Sequence, residues 1–258
     1  MTVLLSFDIE EFDFPKERDE EISVEDGVKV SKKGAEKILK ILEKTNVKAT
    51  FFVTGNFARL EPDLVKKMIA DGHEVGAHGV NHFNPTKKDI AEAKKILEKI
   101  TGKKVNGWRQ PRMQKIDYSE LARCGYLYDS SMNPAFIPGR YNNSKISRTP
   151  YEIKTKHGKI LEIPASVATF MRVPTFWLAL HLFPLGLYKR FAKMSLKKTG
   201  YFVTYFHPWE FTRELSSFDI VPGYIKRNSG EKLERRLESV IKTLKSSGHE
   251  FRTYSEVL

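Results

Sequence analysis

The chain has 258 residues, 40% hydrophobic and 29% charged, with 17 Phe, 10 Tyr and 3 Trp. That is material for one large domain or two small ones, and it excludes disorder and low complexity, which lack the apolar residues for a core. Forty-four Lys and Arg against 32 Asp and Glu give a formal charge of +12, and the single cysteine, Cys124, excludes an intramolecular disulfide framework and thiolate zinc clusters.

Such a positive excess can attract nucleic acid, anionic lipid or an acidic substrate. The lysines scatter over predicted helix faces and no zinc-finger, homeodomain or RNP signature occurs, so nucleic acid is not expected as a partner. Gln stands only at 110 and 114, a Lys/Glu-rich, Gln-poor balance that suits a thermophile. The N-terminus, Met-Thr-Val-Leu-Leu-Ser-Phe-Asp, has no basic segment and does not read as a secretory signal. The longest uncharged apolar stretch, Val173 to Tyr188, is broken by Pro174, Pro184 and Gly186 and is shorter than the ~20 residues of a membrane span. A soluble, cytoplasmic protein is the expectation.

In chain order, Val3–Phe7 reads as a buried strand with carboxylates at its C-terminal end. Ile38, Leu39, Ile41 and Leu42 give helical spacing across Ser31–Thr45. Ala49–Thr54 is a second strand closed by Gly55, and Pro62 opens a helix that runs to Asp71-Gly72. His73–His78 is a third strand. Thr86 with Asp89 resembles a capping box for a helix ending at Thr101-Gly102. Val105–Trp108 follows as a strand, and Asp117 with Glu120 caps a short helix ending at Gly125. Tyr126–Asp129, Ile160–Ile163 and Tyr201–Phe206 are further strands, the helix Glu231–Ser247 carries an apolar stripe, and Phe251 lies in a last strand. Short strands alternating with longer helices predict βα units and a parallel sheet in one domain. Met132–Arg148, rich in Pro, Asn and Gly, reads as a surface excursion.

In such folds chemistry gathers at the C-terminal ends of the strands, where the sequence places Asp8 and Glu10, His78 and His82, Arg109, Asp129 and His207. Residues i and i+2 of an extended chain share a face, so Asp8 and Glu10 enter one pocket while Ile9 packs behind and Glu11 turns away. His78 and His82 are neighbours if the segment makes a helical turn, and two imidazoles with a carboxylate from another strand make a facial divalent-metal site. His73, His157, His181 and His249 read as structural. His207 ends the Tyr201–Phe206 strand and begins His-Pro-Trp-Glu.

The ordered segments Ser6-Phe-Asp-Ile-Glu10, His78-Gly-Val-Asn-His82, Arg109-Gln-Pro-Arg112, Tyr128-Asp-Ser-Ser131 and Tyr205-Phe-His-Pro-Trp209 resemble the polysaccharide deacetylases, the NodB-homology or carbohydrate esterase 4 group. Within it they look most like the branch associated with exopolysaccharide synthesis. The motifs span residues 3–210, with 231–258 expected to complete the domain. The resemblance implies an α/β fold, an irregular (β/α)7 barrel, and a metal-dependent deacetylase acting on the N-acetyl amide of an amino sugar in a polysaccharide, oligosaccharide or lipid-linked glycan. It implies Asp8 as catalytic base, Arg109 as its orienting arginine, His207 as general acid, Asp129 in the motif that supports that acid, and His78 and His82 as metal ligands. The metal is expected to be Zn, with Co, Mn or Ni as alternatives.

Two departures from the family pattern bear on the site. Ile9 stands where the commonest form has a second aspartate, so Glu10 is the expected acidic ligand, with Glu11 and Asp13 as alternatives. Arg112 follows the Arg-Gln-Pro element where the family often has Tyr; its N–H is expected to help hold the oxyanion and its guanidinium to meet an anionic substrate, with Trp209 as a second substrate-binding residue. Phe170–Lys198, apolar then basic, reads first as a barrel helix and second as an interfacial helix touching anionic membrane. Alternative functions are deacylation of a formyl-sugar or cyclic ureide, or sugar binding by an inactive barrel.

Overall fold

A computed structural model describes residues 1–139, 141–168 and 171–258. Arg140, inside the expected excursion, Thr169, and Phe170, the first residue of the apolar-to-basic stretch, lie outside the described residues. The elements are β1 (Thr2–Ile9), α1 (Val24–Thr45), β2 (Thr50–Val53), α2 (Gly55–Leu60), α3 (Pro62–Ala70), β3 (Glu74–Ala77), α4 (Asp89–Thr101), β4 (Gly107–Trp108), α5 (Tyr118–Arg123) and β5 (Tyr128–Asp129). They continue with β6 (Phe136–Ile137), β7 (Tyr141–Asn142), β8 (Tyr151–Thr155), β9 (Gly158–Glu162), α6 (Leu178–Leu182), α7 (Leu185–Thr199), β10 (Tyr201–Phe206), α8 (Gly223–Lys226), α9 (Glu231–Ser246) and β11 (Glu250–Arg252).

The main sheet has the order β10-β1-β2-β3-β4-β5-β9-β8, with β11 also paired to β1. All neighbours are parallel except β8 on β9, which form a hairpin. The expected barrel is thus a curled half-barrel. Between β5 and β10 the chain itself spans the remaining arc. Ile163 N–H bonds Asp129 O, Ser166 N–H bonds Val203 O and Trp177 N–H bonds Tyr205 O, each at 2.8 Å. The last two bonds cover the outer edge of β10, which would otherwise leave main-chain groups unpaired.

The period-2 alternation of β1 sorts its side chains into two layers. Val3, Leu5, Phe7 and Ile9 join the large core under the helices, with Ile38 and Leu42 of α1 and Leu233 and Leu237 of α9. Leu4 faces the concave side with Phe52, Tyr128, Val203 and Tyr254. Ser6 and Asp8, two and four residues on, share that face and end in polar chemistry.

Several elements differ from the expectation for local reasons. The first helix starts at Val24 rather than Ser31, because the Ser23 hydroxyl accepts the Asp26 N–H at 3.0 Å. Thr54 likewise caps an unexpected helix, α2, through the Phe57 N–H at 3.2 Å. Thr86 does not cap: its hydroxyl donates to the Asp89 carboxylate, which accepts the Val80 N–H instead. The strand β8 was not expected; its alternate residues are exposed, as befits a hairpin edge. In α7 the apolar residues Tyr188, Ala192 and Leu196 are buried. Among the described residues no helix is long and apolar enough to cross a membrane.

Candidate active site

β1 delivers Asp8 and, one step past its end, Glu10. The loop after β3 delivers His78 and His82. That loop is irregular and not the helical turn the spacing suggested. Gly79 turns through φ +73°, where a side chain would press on the Pro111 ring, and the N–H groups of Gly55 and Asn56 at the start of α2 bind the carbonyls of Gly79 and Val80 at 2.9 and 3.0 Å.

Three side chains converge. Glu10 Oε2 lies 3.1 Å from His78 Nε2 and 3.0 Å from His82 Nε2, and ligand atoms of the three all lie within 4.8 Å of one another. The far nitrogens are already committed: His78 Nδ1 is 2.9 Å from the Arg109 carbonyl and His82 Nδ1 is 2.7 Å from Asp13 Oδ2. Both partners only accept, so each Nδ1 carries its proton and each Nε2 turns toward Glu10. Trp209 Nε1–H holds the other oxygen, Glu10 Oε1, at 3.1 Å.

This donor set fits a divalent cation. Two imidazole nitrogens and a carboxylate surround one point with nothing but acceptors once the rings are neutral. Burial pulls the His82 pKa down, yet the Glu10 and Asp13 carboxylates override it and raise it to about 9. Burial likewise opposes ionisation of Glu10, but His82, His207 and His78 around it drive its pKa far below the ordinary carboxylate range. The cluster therefore demands positive charge at its centre, which a metal bound at ~2.0–2.2 Å per ligand supplies.

Of the three acidic candidates, Glu10 holds that position. Asp13 orients His82, and Glu11 accepts from Thr54 Oγ1 and Asn56 Nδ2 at 2.8 Å each, turned away as the strand alternation predicted.

Asp8 lies beside this cluster. Its Oδ1 accepts from Arg109 Nη1 at 2.6 Å, and its Oδ2 is 3.9 Å from His207 Nε2. Arg109 is buried between the rings of Phe52 and Tyr205, 4.1 and 4.8 Å from their centroids. Its remaining donors reach Ser130 O at 2.7 Å, Ser6 Oγ at 2.9 Å, Ser130 Oγ at 3.0 Å and Tyr254 OH at 3.1 Å. A guanidinium with every donor used cannot rotate away from its carboxylate, and it remains charged despite burial.

His207 stacks on Trp209 with centroids 4.8 Å apart. Its Nδ1 lies 2.9 Å from Glu210 Oε1, and Glu210 Oε2 lies 2.7 Å from His181 Nε2. Burial lowers the His207 pKa, but Glu10, Glu210 and Asp8 more than reverse this, and it ends raised.

Three expectations need correction. The carboxylate behind His207 is Glu210 and not Asp129, which accepts from Ser131 Oγ at 2.6 Å and lies against Glu162. Trp209 is buried and faces Glu10, so it has no surface for substrate to stack on. The Arg112 guanidinium is 2.9 Å from Glu17 and 3.8 Å from Asp13, already neutralised rather than open to an anion. His181, read as structural, belongs to the His207 chain of contacts. Glu210 carried a signal that went unread, the N-cap-to-N3 spacing of a capping box with His207. Tyr254, far along the chain, carried none.

Known proteins resemble this chain in sequence and in fold. A family model described as polysaccharide deacetylase matches residues 15–128, and one described as a domain of unknown function (DUF3473) matches residues 130–258, half of the chain. The peptidoglycan-N-acetylmuramic acid deacetylase PdaA of Bacillus subtilis (strain 168) is 35% identical over 133 residues, 47% of this chain and 50% of that protein. The peptidoglycan deacetylase of Helicobacter pylori (strain ATCC 700392 / 26695) is 27% identical over 168 residues, 61% of this chain and 57% of that one. The chain thus spans about half the length of these curated relatives. A Mycobacterium smegmatis crystal structure assigned as a polysaccharide deacetylase superposes with a TM-score of 0.68 at 20% identity, covering 99% of this chain and 88% of that one; that likeness is one of fold.

Proposed function

The chain belongs to the polysaccharide deacetylase family, and on that premise we propose that it hydrolyses the N-acetyl amide of an amino sugar in a glycan, with Glu10, His78 and His82 holding the metal. The observation that carries the reading is the placement of Asp8 and His207 across a 3.9 Å gap beside the three converging ligands. Too wide for a direct hydrogen bond, that separation lets a single atom placed to one side of the pair come within hydrogen-bond reach of both base and acid. The nitrogen and oxygen donors favour Zn, with Co, Mn and Ni accepting the same set. Supplied at this point, a divalent ion polarises the acyl oxygen and makes water a stronger acid.

The chain's own groups do the rest. Asp8, fixed by Arg109, accepts the proton of the attacking water. The Arg112 N–H is the candidate second donor to the tetrahedral oxygen. His207, kept protonated by Glu210, delivers a proton to the departing amine, without which the amide would have to expel a poor leaving group. The products are a sugar amine and acetate. Exopolysaccharide or lipid-linked glycans are the favoured substrates, following the resemblance of the Asp-Ile-Glu and His-Pro-Trp-Glu segments.

Metal-loaded protein incubated with N-acetylglucosamine oligomers and related glycans should release acetate. Asp8→Asn and His207→Ala should each abolish release; activity retained in either variant rejects that residue's role.

A further inference from the structure

Beyond the reacting centre, a cleft of about 590 Å³ opens where α6, the turn into α7, α8 and the start of α9 meet. Its volume is that of a small-molecule site. Arg227, Lys232 and Arg236 line it together with Leu182, Tyr224 and His181, and no carboxylate does. None of these three cations has an ion-pair partner among the described residues. Arg236 spends donors on the carbonyls of Leu180 and Phe183, which fixes the guanidinium in position without neutralising it. Leu182 and Tyr224 expose half of their surface, 52% and 50%. Converging uncompensated cations raise a field in a concave site that an anion relieves.

The cleft also borders a buried polar group with an unmet need. His181 is 2% exposed; its Nε2 is held by Glu210, while its Nδ1 is buried with no hydrogen-bond partner among the described residues.

We propose that this cleft binds a phosphate-bearing ligand, its phosphate or diphosphate group held by Arg227, Lys232 and Arg236 and its apolar remainder by Leu182 and Tyr224. Three cations suit a multiply charged group, and planar guanidinium donors match phosphate oxygens in pairs. Contact with the cleft is transmitted to His207 along His181 and Glu210, without touching Glu10, His78 or His82. Binding here is independent of whether the protein is a deacetylase.

Calorimetric titration of metal-free protein with inorganic pyrophosphate tests this, alongside the double variant Arg227→Ala/Lys232→Ala, whose replaced side chains are exposed. Saturable binding, weakened about tenfold or more in the double variant, supports a soluble phosphate ligand; the variant's activity without pyrophosphate stays at wild-type level. Sedimentation with phosphatidylglycerol vesicles, absent with phosphatidylcholine and lost in the double variant, supports a lipid phosphate. Binding to neither probe, or binding that survives unchanged in the variant, overturns the proposal.

Discussion

Replacing Glu210 with glutamine isolates the charge that holds the proton on His207. Glu210 is fully buried, 2.9 Å from His207 Nδ1 and 2.7 Å from His181 Nε2, and it also accepts the His207 main-chain N–H at 2.6 Å. Glutamine preserves the volume and one acceptor oxygen while removing the charge. A hydrogen bond to a charged partner contributes about 1.5–3 kcal/mol, and about 1.4 kcal/mol is one pKa unit, so the His207 pKa should fall by about 1–2. His207 acts as an acid only when protonated, so rate is lost as pH rises through its pKa. The basic limb of kcat/KM therefore moves to lower pH by the same amount. Nitrogen-15 NMR of the imidazole should report the same displacement. A basic limb and a ring titration that stay where the wild type has them would refute the reasoning.

Trp209→Phe removes the N–H that holds Glu10 Oε1, and metal affinity measured against a chelator should drop about 10–100-fold; unchanged affinity would mean that Glu10 needs no such support. In metal-free protein the His82 pKa is raised from 6.5 to about 9. Its stabilising contribution, at most roughly 3 kcal/mol, is complete below pH 6.5 and lost as pH rises through about 9. Melting curves should show that decline, and His82→Gln should flatten it. Because a bound ion displaces the same proton, metal affinity should rise across this window. Gly107→Ala would drive a methyl group into the buried Tyr128 phenol, which should cost about 1–3 kcal/mol of stability or more in denaturant unfolding.

What the sequence revealed followed from periodicity. Asp8 and Glu10 read correctly as sharing a face because strand alternation fixes side-chain direction, and Ile9 behind them lies in the core. The stripe of Leu233, Leu237, Val240, Ile241 and Leu244 marked α9 by the same logic. The site's supporting contacts were hidden where they depend on distant segments. Tyr254 meets Arg109 across 145 positions and His181 meets Glu210 across 29, separations no local pattern encodes. Asp129 misled because a carboxylate at a strand end looks the same whether it faces His207 or, as here, Ser131 and Glu162. The histidine pair was recognised by spacing, yet the spacing suggested a helix where Gly79 and the α2 amides build an irregular loop.

Arg109 draws its contacts from β1, from the residues after β5 and from Tyr254 beyond β11, whereas the ligands Glu10, His78 and His82, carried by β1 and the loop after β3, are steadied by Trp209, the Arg109 carbonyl and Asp13, none of them in or beyond β11. On gentle warming, fraying of β11 would withdraw Tyr254 and loosen the grip on Asp8 while those ligands stay gathered. Turnover should therefore fail at a lower temperature than the one at which the ion escapes, leaving a loaded but idle protein in between.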